Sequence, residues 1–190
     1  HRTLPVPRDD DVRAVALHAP SRMLVTGGNA IRFWSVDDGL VRTIDTSDPI
    51  ACVGFTRDGR SLVAATHGGA VAVFRVNDGE LGWLSLADGD DSTPATLSVG
   101  SDRCAVLRVD GSLRVHDLTN GRCALTLGSG AVAAPWLSGA VFDSEDRLLT
   151  TDARTLTRWS FPTRGMAAPF WIVRPATSAS VSMAEARARA

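Results

Sequence analysis

Histidines and serines are the first residues to consider for catalysis, and their surroundings in this chain do not match a known active-site pattern. The four histidines are His1, His18, His67 and His116. General acid–base catalysis needs a base placed against a reacting group, and zinc needs several clustered ligands. The sequence holds no H-E-x-x-H, G-x-S-x-G, P-loop or G-x-G-x-x-G motif. We therefore predict that the chain is not an enzyme.

The cysteines and the densest acidic run also lack the spacing of a metal site. Cys52, Cys104 and Cys123 are odd in number and include no C-x-x-C pair, which favours buried thiols in a reducing cytoplasm. Residues 88–91 read Asp-Gly-Asp-Asp, without the alternating ligands and distal glutamate of a calcium loop. We interpret this run as a solvated connection, and we expect neither a metal nor another cofactor.

The balance of charge excludes several classes of partner. The 190 residues hold 20 Lys+Arg, all of them arginine, against 21 Asp+Glu, for a net charge of −1. No overall field would draw such a chain to nucleic acid or to an anionic membrane. The longest apolar-leaning stretch, at 130–142, is far shorter than the roughly 20 residues of a membrane-spanning helix. Abundant arginine and alanine without lysine favour a bacterial source.

A repeat of 40 to 43 residues is the main organising signal. Short apolar segments recur at 30–34, 70–74, 112–116 and 155–159, and each closes on an aromatic or histidine residue. We call this last residue the hub position, and its occupants are Trp34, Phe74, His116 and Trp159. Spacing at this period predicts one hub residue in each copy of a repeated structural unit.

Each unit also carries two turns in constant places. A glycine follows the hub by five residues in three units, at Gly39, Gly79 and Gly121. The second turn precedes the hub and ends in arginine, at Arg22, Arg60, Arg103 and Arg147. Asp-Gly and Asn-Gly pairs tolerate the positive φ angles of tight hairpins. The two turns divide every unit into short strands.

Alternating apolar and β-branched residues between the turns predict the strands themselves. In the second unit we place them at 50–56, 61–65, 70–76 and 80–87, and we label the strands of any unit a to d in chain order. Each unit is then a four-stranded antiparallel meander. Because one such sheet cannot bury both of its faces, copies are expected to stack radially around a channel.

The second and third units carry the most specific resemblance. An Asp-Gly-Arg turn at 58–60 precedes Leu-Val-Ala-Ala at 62–65, and residues 110–117 read Asp-Gly-Ser-Leu-Arg-Val-His-Asp. This order resembles the WD-repeat family over roughly residues 11–173, which implies an all-β fold of four β-propeller blades. The units depart from the family, since none has its Gly-His pair and Asp110 is the one loop aspartate in place. We therefore expect packing to matter more than the family's polar network.

The resemblance implies a division into blades. Residues 1–10 read as the outer strand of a preceding blade and a loop, and blades follow at 11–47, 48–89, 90–127 and 128–173. Residues 174–190 read as a linker and the start of a short helix. We expect a C-terminal section of a larger propeller in preference to a closed ring of four.

Rigid blades that present loops predict a protein-interaction scaffold or a regulatory sensor module. In the family, the b–c loops and the d–a connections share the face most used for partners. Here these loops are rich in aspartate, which predicts a protein partner with a basic segment, and Trp83 is the candidate for an exposed aromatic. The alternative is an enzymatic propeller, hydrolase or lactonase-like, with a site in the central channel. The candidate binding residues are Asp10, Asp11, Asn29, Asp48, His67, Asp88, Asp90, Asp91, Asp110, Asp152 and Arg154.

Overall fold

The computed structural model describes residues 11–85, 93–127, 137–152, 155–161 and 174–175, together with Thr3 and Pro7. Within these ranges the chain forms four sheets of four strands. The first sheet holds β1 (Ala14–His18), β2 (Met23–Gly27), β3 (Ala30–Ser35) and β4 (Gly39–Asp45). The second holds β5 (Ile50–Phe55), β6 (Ser61–Thr66), β7 (Val71–Arg75) and β8 (Leu81–Ser85). The third holds β9 (Pro94–Val99), β10 (Arg103–Arg108), β11 (Leu113–Asp117) and β12 (Cys123–Leu127). The fourth holds β13 (Gly139–Phe142), β14 (Leu148–Thr151), β15 (Leu156–Ser160) and β16 (Arg174–Pro175).

Each sheet is an antiparallel meander, because its strands pair in chain order. This confirms the predicted all-β fold of four-stranded units. In the second sheet, the strands begin and end within two residues of the predicted ones. Across the described ranges the helical content is a three-residue 3₁₀ helix, Ala19–Ser21.

Left-handed backbone occurs at both kinds of turn that the sequence pattern marked. Gly39, Gly79 and Gly121 have φ angles of 97°, 75° and 71°, which glycine adopts at little cost because it lacks a Cβ. At the turns between strands a and b, the non-glycine residues Arg22 and Asp146 take φ angles of 52° and 56°. The turns therefore reverse the chain as the repeat predicts.

Among the described residues, three apolar clusters lie between successive sheets. The first joins Val25, Ile31 and Phe33 of the first sheet to Leu62 and Phe74 of the second. Equivalent clusters join the second sheet to the third and the third to the fourth. The a strands, β1, β5, β9 and β13, contact one another in that order. The sheets therefore stack side by side with their a strands adjacent.

The hub residues occupy corresponding places. In the first three sheets the hub follows directly after a register shift between strands c and d. Phe74 packs in the cluster shared with the first sheet, His116 stacks on Trp83 of the second, and Trp159 packs against the cluster of the third. Each of these hubs thus faces the preceding sheet. Trp34 is 1% exposed.

Several predicted segments lie outside the described residues. They include most of 1–10, the acidic run at 88–91, the fourth unit's outer strand at 168–173, and the helix start within 174–190. The described outer strand of the fourth sheet is β16, in which Pro175 and Arg174 pair with Trp159 and Ser160 of β15. The sequence pattern predicts a linker at these two residues. The sheet thus extends past the predicted boundary at 173.

Candidate interaction surface

The b–c loops and the connections between sheets emerge at one end of the sheets, because the strands of a meander reverse at every turn. We call this end the loop face and the opposite end, with the a–b and c–d turns, the turn face. Six of the predicted binding residues are described and lie on the loop face: Asp11, Asn29, Asp48, His67, Asp110 and Asp152. The other five, Asp10, Asp88, Asp90, Asp91 and Arg154, lie outside the described residues.

A chain of three polar side chains links the first and second sheets on the loop face. The Nε of Arg13 donates to Oδ2 of Asp11 at 2.9 Å, and Nη1 of Arg13 lies 2.9 Å from Nε2 of His67. A guanidinium can only donate, so Nε2 of His67 accepts this hydrogen bond. Asp11 and His67 are therefore brought together, by an arginine that the sequence reasoning did not select.

Asp48 joins the connection between the first two sheets to the second b–c loop. Its Oδ2 accepts a hydrogen bond from the backbone N–H of Gly68 at 2.8 Å. A Cβ added to Gly68 would lie 2.7 Å from that oxygen, so any other residue there would displace the carboxylate. Nearby, the hydroxyl of Thr46 donates to the carbonyl of Asn29 at 3.2 Å. Side chains thus fix the connection against the loop.

Asp110 and Asp152 each close their own b–c loop. The Oδ1 of Asp110 accepts from the backbone N–H of Ser112 at 2.8 Å. The two carboxylate oxygens of Asp152 accept from the backbone N–H and the hydroxyl of Thr155, both at 2.7 Å. These are Asx-type turns, in which the side chain replaces a backbone partner. The carboxylates are held in place by their own loops.

Two exposed valines accompany the acids. Val12 is 41% exposed beside Asp11, and Val109 is 65% exposed beside Asp110. The sequence reasoning missed both, although an apolar residue within a turn was a visible signal. Single exposed apolar residues are common on proteins, but here each lies next to a carboxylate of the loop face.

Charges on the turn face are mostly paired. Arg22 donates to both carboxylate oxygens of Asp37, at 2.8 and 2.7 Å. Desolvation raises the pKa of Asp143, but hydrogen bonds from Arg147 and from the backbone N–H of Glu145, together with the charge of Arg147, outweigh it and hold the pKa below its usual value. Arg57 of the second sheet donates to the carbonyls of Ser144 and Asp143 in the fourth, at 2.7 and 2.6 Å. These arginines are therefore engaged by contacts within the turn face.

Comparison with known proteins identifies the architecture. No family model matches the chain, and no curated protein matches it. A chain in the crystal structure of a mitotic checkpoint complex superposes with a TM-score of 0.64 at 17% identity, over 84% of this chain and 55% of that one. The fold is that of a WD-like β-propeller. The four sheets are its blades, and the chain spans about half the length of the solved chain that it matches.

The propeller fold does not by itself select a function. The chain matches 1226 solved chains, and unrelated functions recur on one fold. Within the described ranges, no group of three or more His, Cys, Asp or Glu residues is placed to hold a metal ion. Burial raises the pKa of Cys104 to about 12, which leaves this thiol protonated and unreactive at neutral pH. In the described part of the chain, no helix is long and apolar enough to cross a membrane.

Trp83 is not the exposed aromatic that the sequence suggested. Its indole N–H donates to the carbonyl of Leu118 in the third blade at 2.7 Å, and its ring lies 6.4 Å from that of His116. A Cβ on Gly121 would meet the indole at 2.7 Å. The alternation of residues within one strand could not predict this burial of Trp83, because the residues that cover it belong to the third blade. Leu81 on the same strand is 53% exposed instead.

Proposed function

We propose that this propeller segment is a non-catalytic scaffold that binds a protein partner through the loop face, and that the partner offers a basic segment. The observation that carries the proposal is the gathering of Asp11, Asp48, Asp110 and Asp152 at one end of the blades, with Val12 and Val109 exposed among them. The solved chain that superposes belongs to a protein complex, the mitotic checkpoint complex, which is consistent with a role in protein binding. A sensor role and a cytoplasmic location stay predictions.

Preorganisation favours this face as a binding site. Asp110 and Asp152 are held by backbone N–H groups of their own loops, and Asp48 by that of Gly68 in the adjacent b–c loop, so little side-chain freedom is lost when a partner arrives. Carboxylates at the rim of an interface mainly raise the association rate and reject wrong partners, while apolar residues supply contact area. The valines and the acids therefore have complementary roles.

An association-rate experiment tests the proposal. The probe is an arginine- and leucine-rich octapeptide, and the variant is Asp11→Asn with Asp45→Asn, since both residues are exposed on the loop face. The matched control is Glu80→Gln with Glu145→Gln, which removes two exposed charges from the turn face. We expect the loop-face variant to associate several-fold more slowly at low salt, with the difference vanishing near 1 M, where the Debye length is about 3 Å.

Two outcomes would contradict the proposal. One is equal slowing by the loop-face and turn-face variants, which would assign the effect to overall charge. The other is a probe that binds the wild-type chain at a rate independent of salt. The same measurement on Asp88→Asn, Asp90→Asn and Asp91→Asn together extends the test to the acidic connection.

A further inference from the structure

A cleft of about 220 Å³ opens on the turn face between the third and fourth blades, far from the acidic loops. Its walls come from the start of β10, the c–d turn of the third blade and the residue after β15. The lining residues used below are Arg103, Asp117, Asn120, Arg122 and Phe161. A space of this size admits a side chain or a small organic molecule.

Arg103 forms the floor of the cleft, and it is 8% exposed. The centre of its guanidinium lies 4.8 Å from the centroid of the Phe161 ring, and Nη1 donates to Oδ1 of Asp102 at 3.0 Å. Stacking and this hydrogen bond fix the plane of the guanidinium. A guanidinium carries five N–H donors, and neither contact uses those on Nε and Nη2. Arg103 therefore presents oriented donors in a lined cavity.

Arg122 stands at the rim of the same cleft. Its backbone is fixed, because its N–H donates to Oδ1 of Asn120 at 2.9 Å and its carbonyl accepts from the N–H of Asp117 at 3.0 Å. Its exposed guanidinium makes no ion pair within the described ranges. The rim thus holds a second cation that is available to a ligand.

We propose that this cleft binds a carboxylate group, with Arg103 and Arg122 as its donors and Phe161 as an apolar wall. A planar, two-oxygen anion matches the planar fork of arginine. Asp117 of the lining and Asp102, which pairs with Arg103, balance the two arginines, so these four described residues carry no net charge. A site without excess positive charge suits the single charge of a carboxylate better than the charge of a phosphate, which is about −2.

The carboxylate could come from a free small acid or from a glutamate side chain of a peptide, and two probes separate these sources. Butyrate and acetyl-Gly-Glu-Gly-amide carry nearly the same group, and butyramide is the uncharged control. Each is titrated into the whole chain labelled with ¹⁵N-arginine, and the Nε–Hε resonance of Arg103 is followed. We expect a saturable shift with at least one of the two acids and none with butyramide.

Matched variants locate the binding. Arg122→Gln removes the exposed rim cation without disturbing a described side-chain contact, and we expect it to weaken binding roughly tenfold, as for a lost charged hydrogen bond. Arg60→Gln, at an arginine whose side chain is 86% exposed on the turn face of the second blade, should leave the affinity unchanged. Phe161→Leu should also weaken binding, because the Arg103 plane is no longer fixed by stacking.

Saturation by butyrate assigns the cleft to small acids, and saturation by the peptide alone assigns it to an acidic partner segment. The proposal is overturned if neither acid produces a saturable shift up to about 10 mM, which corresponds to very weak binding. Equal loss of affinity in Arg122→Gln and Arg60→Gln would also overturn it, since the effect would then be one of net charge.

Discussion

The first and fourth blades differ from the second and third at the hub. In the first and fourth, a tryptophan indole N–H donates to a threonine hydroxyl on strand b, at 3.0 and 2.8 Å. In the second and third, the hub is phenylalanine or histidine, and the corresponding strand-b residue is apolar. In blade order, the hub and strand-b pairs are Trp34 with Thr26, Phe74 with Ala64, His116 with Val106, and Trp159 with Thr150.

The hub residue and its strand-b partner differ together from blade to blade for a physical reason. A buried hydroxyl that loses its partner costs about 1 to 3 kcal/mol, whereas replacing both partners with apolar groups can be nearly neutral. Thr26 is 7% exposed and Thr150 is 1% exposed, so neither hydroxyl could turn to water. A blade therefore has both the tryptophan and the threonine, or neither of them.

The largest expected effect is at the first hub. Trp34→Ala empties a site that is 1% exposed and leaves Thr26 without its donor, so we expect a loss of about 3 to 5 kcal/mol in the free energy of unfolding. Trp159 is half-buried, so Trp159→Ala should cost less, about 2 kcal/mol. Urea titrations of both variants measure the difference. Equal costs would mean that burial does not set the strength of the hub.

The hub position shows which features could be predicted from the sequence and which could not. Four hubs at a regular period were enough to place the blades, and the strands of the second blade follow from alternation and turn residues. The threonine partners could not be predicted from the sequence, because their spacing from the tryptophan is not constant. The b–c loops differ in length, so the threonine lies eight residues before one tryptophan and nine before the other. The acids of the loop face were visible, but the backbone groups they bind depend on loop conformation.

The contact between Trp83 and the third blade gives a smaller effect. Gly121→Ala requires an L side chain at a φ of 71° and places a Cβ 2.7 Å from the indole of Trp83. We expect a loss of about 1 to 2 kcal/mol, measured by thermal unfolding. Gly82→Ala, whose Cβ would meet the carbonyl of Val73 at 3.3 Å, is the control. If the control is as destabilised as Gly121→Ala, the indole does not restrict the turn.

The smallest expected effect concerns acid stability at the a–b turn of the second blade. A hydrogen bond from the Thr56 hydroxyl, with a second from the backbone N–H of Arg60, lowers the pKa of Asp58. Because the folded pKa is the lower one, the stabilisation is present above the ordinary value of about 3.9 and is lost as the pH falls through the folded pKa. Asp58→Asn should therefore flatten the acid limb of the stability profile. If the acid limb of the stability profile is unchanged in Asp58→Asn, other carboxylates cause the acid sensitivity.

The equivalence of the blades is tested most directly by transferring the polar pair into the second blade. Ala64→Thr alone places a buried hydroxyl without a partner, and Phe74→Trp alone adds an indole N–H without an acceptor. If the positions correspond to Thr26 and Trp34, the double variant should be more stable than the sum of the two single effects predicts, by about 1 kcal/mol, in a urea double-mutant cycle. Strictly additive effects would contradict the shared register of the four blades.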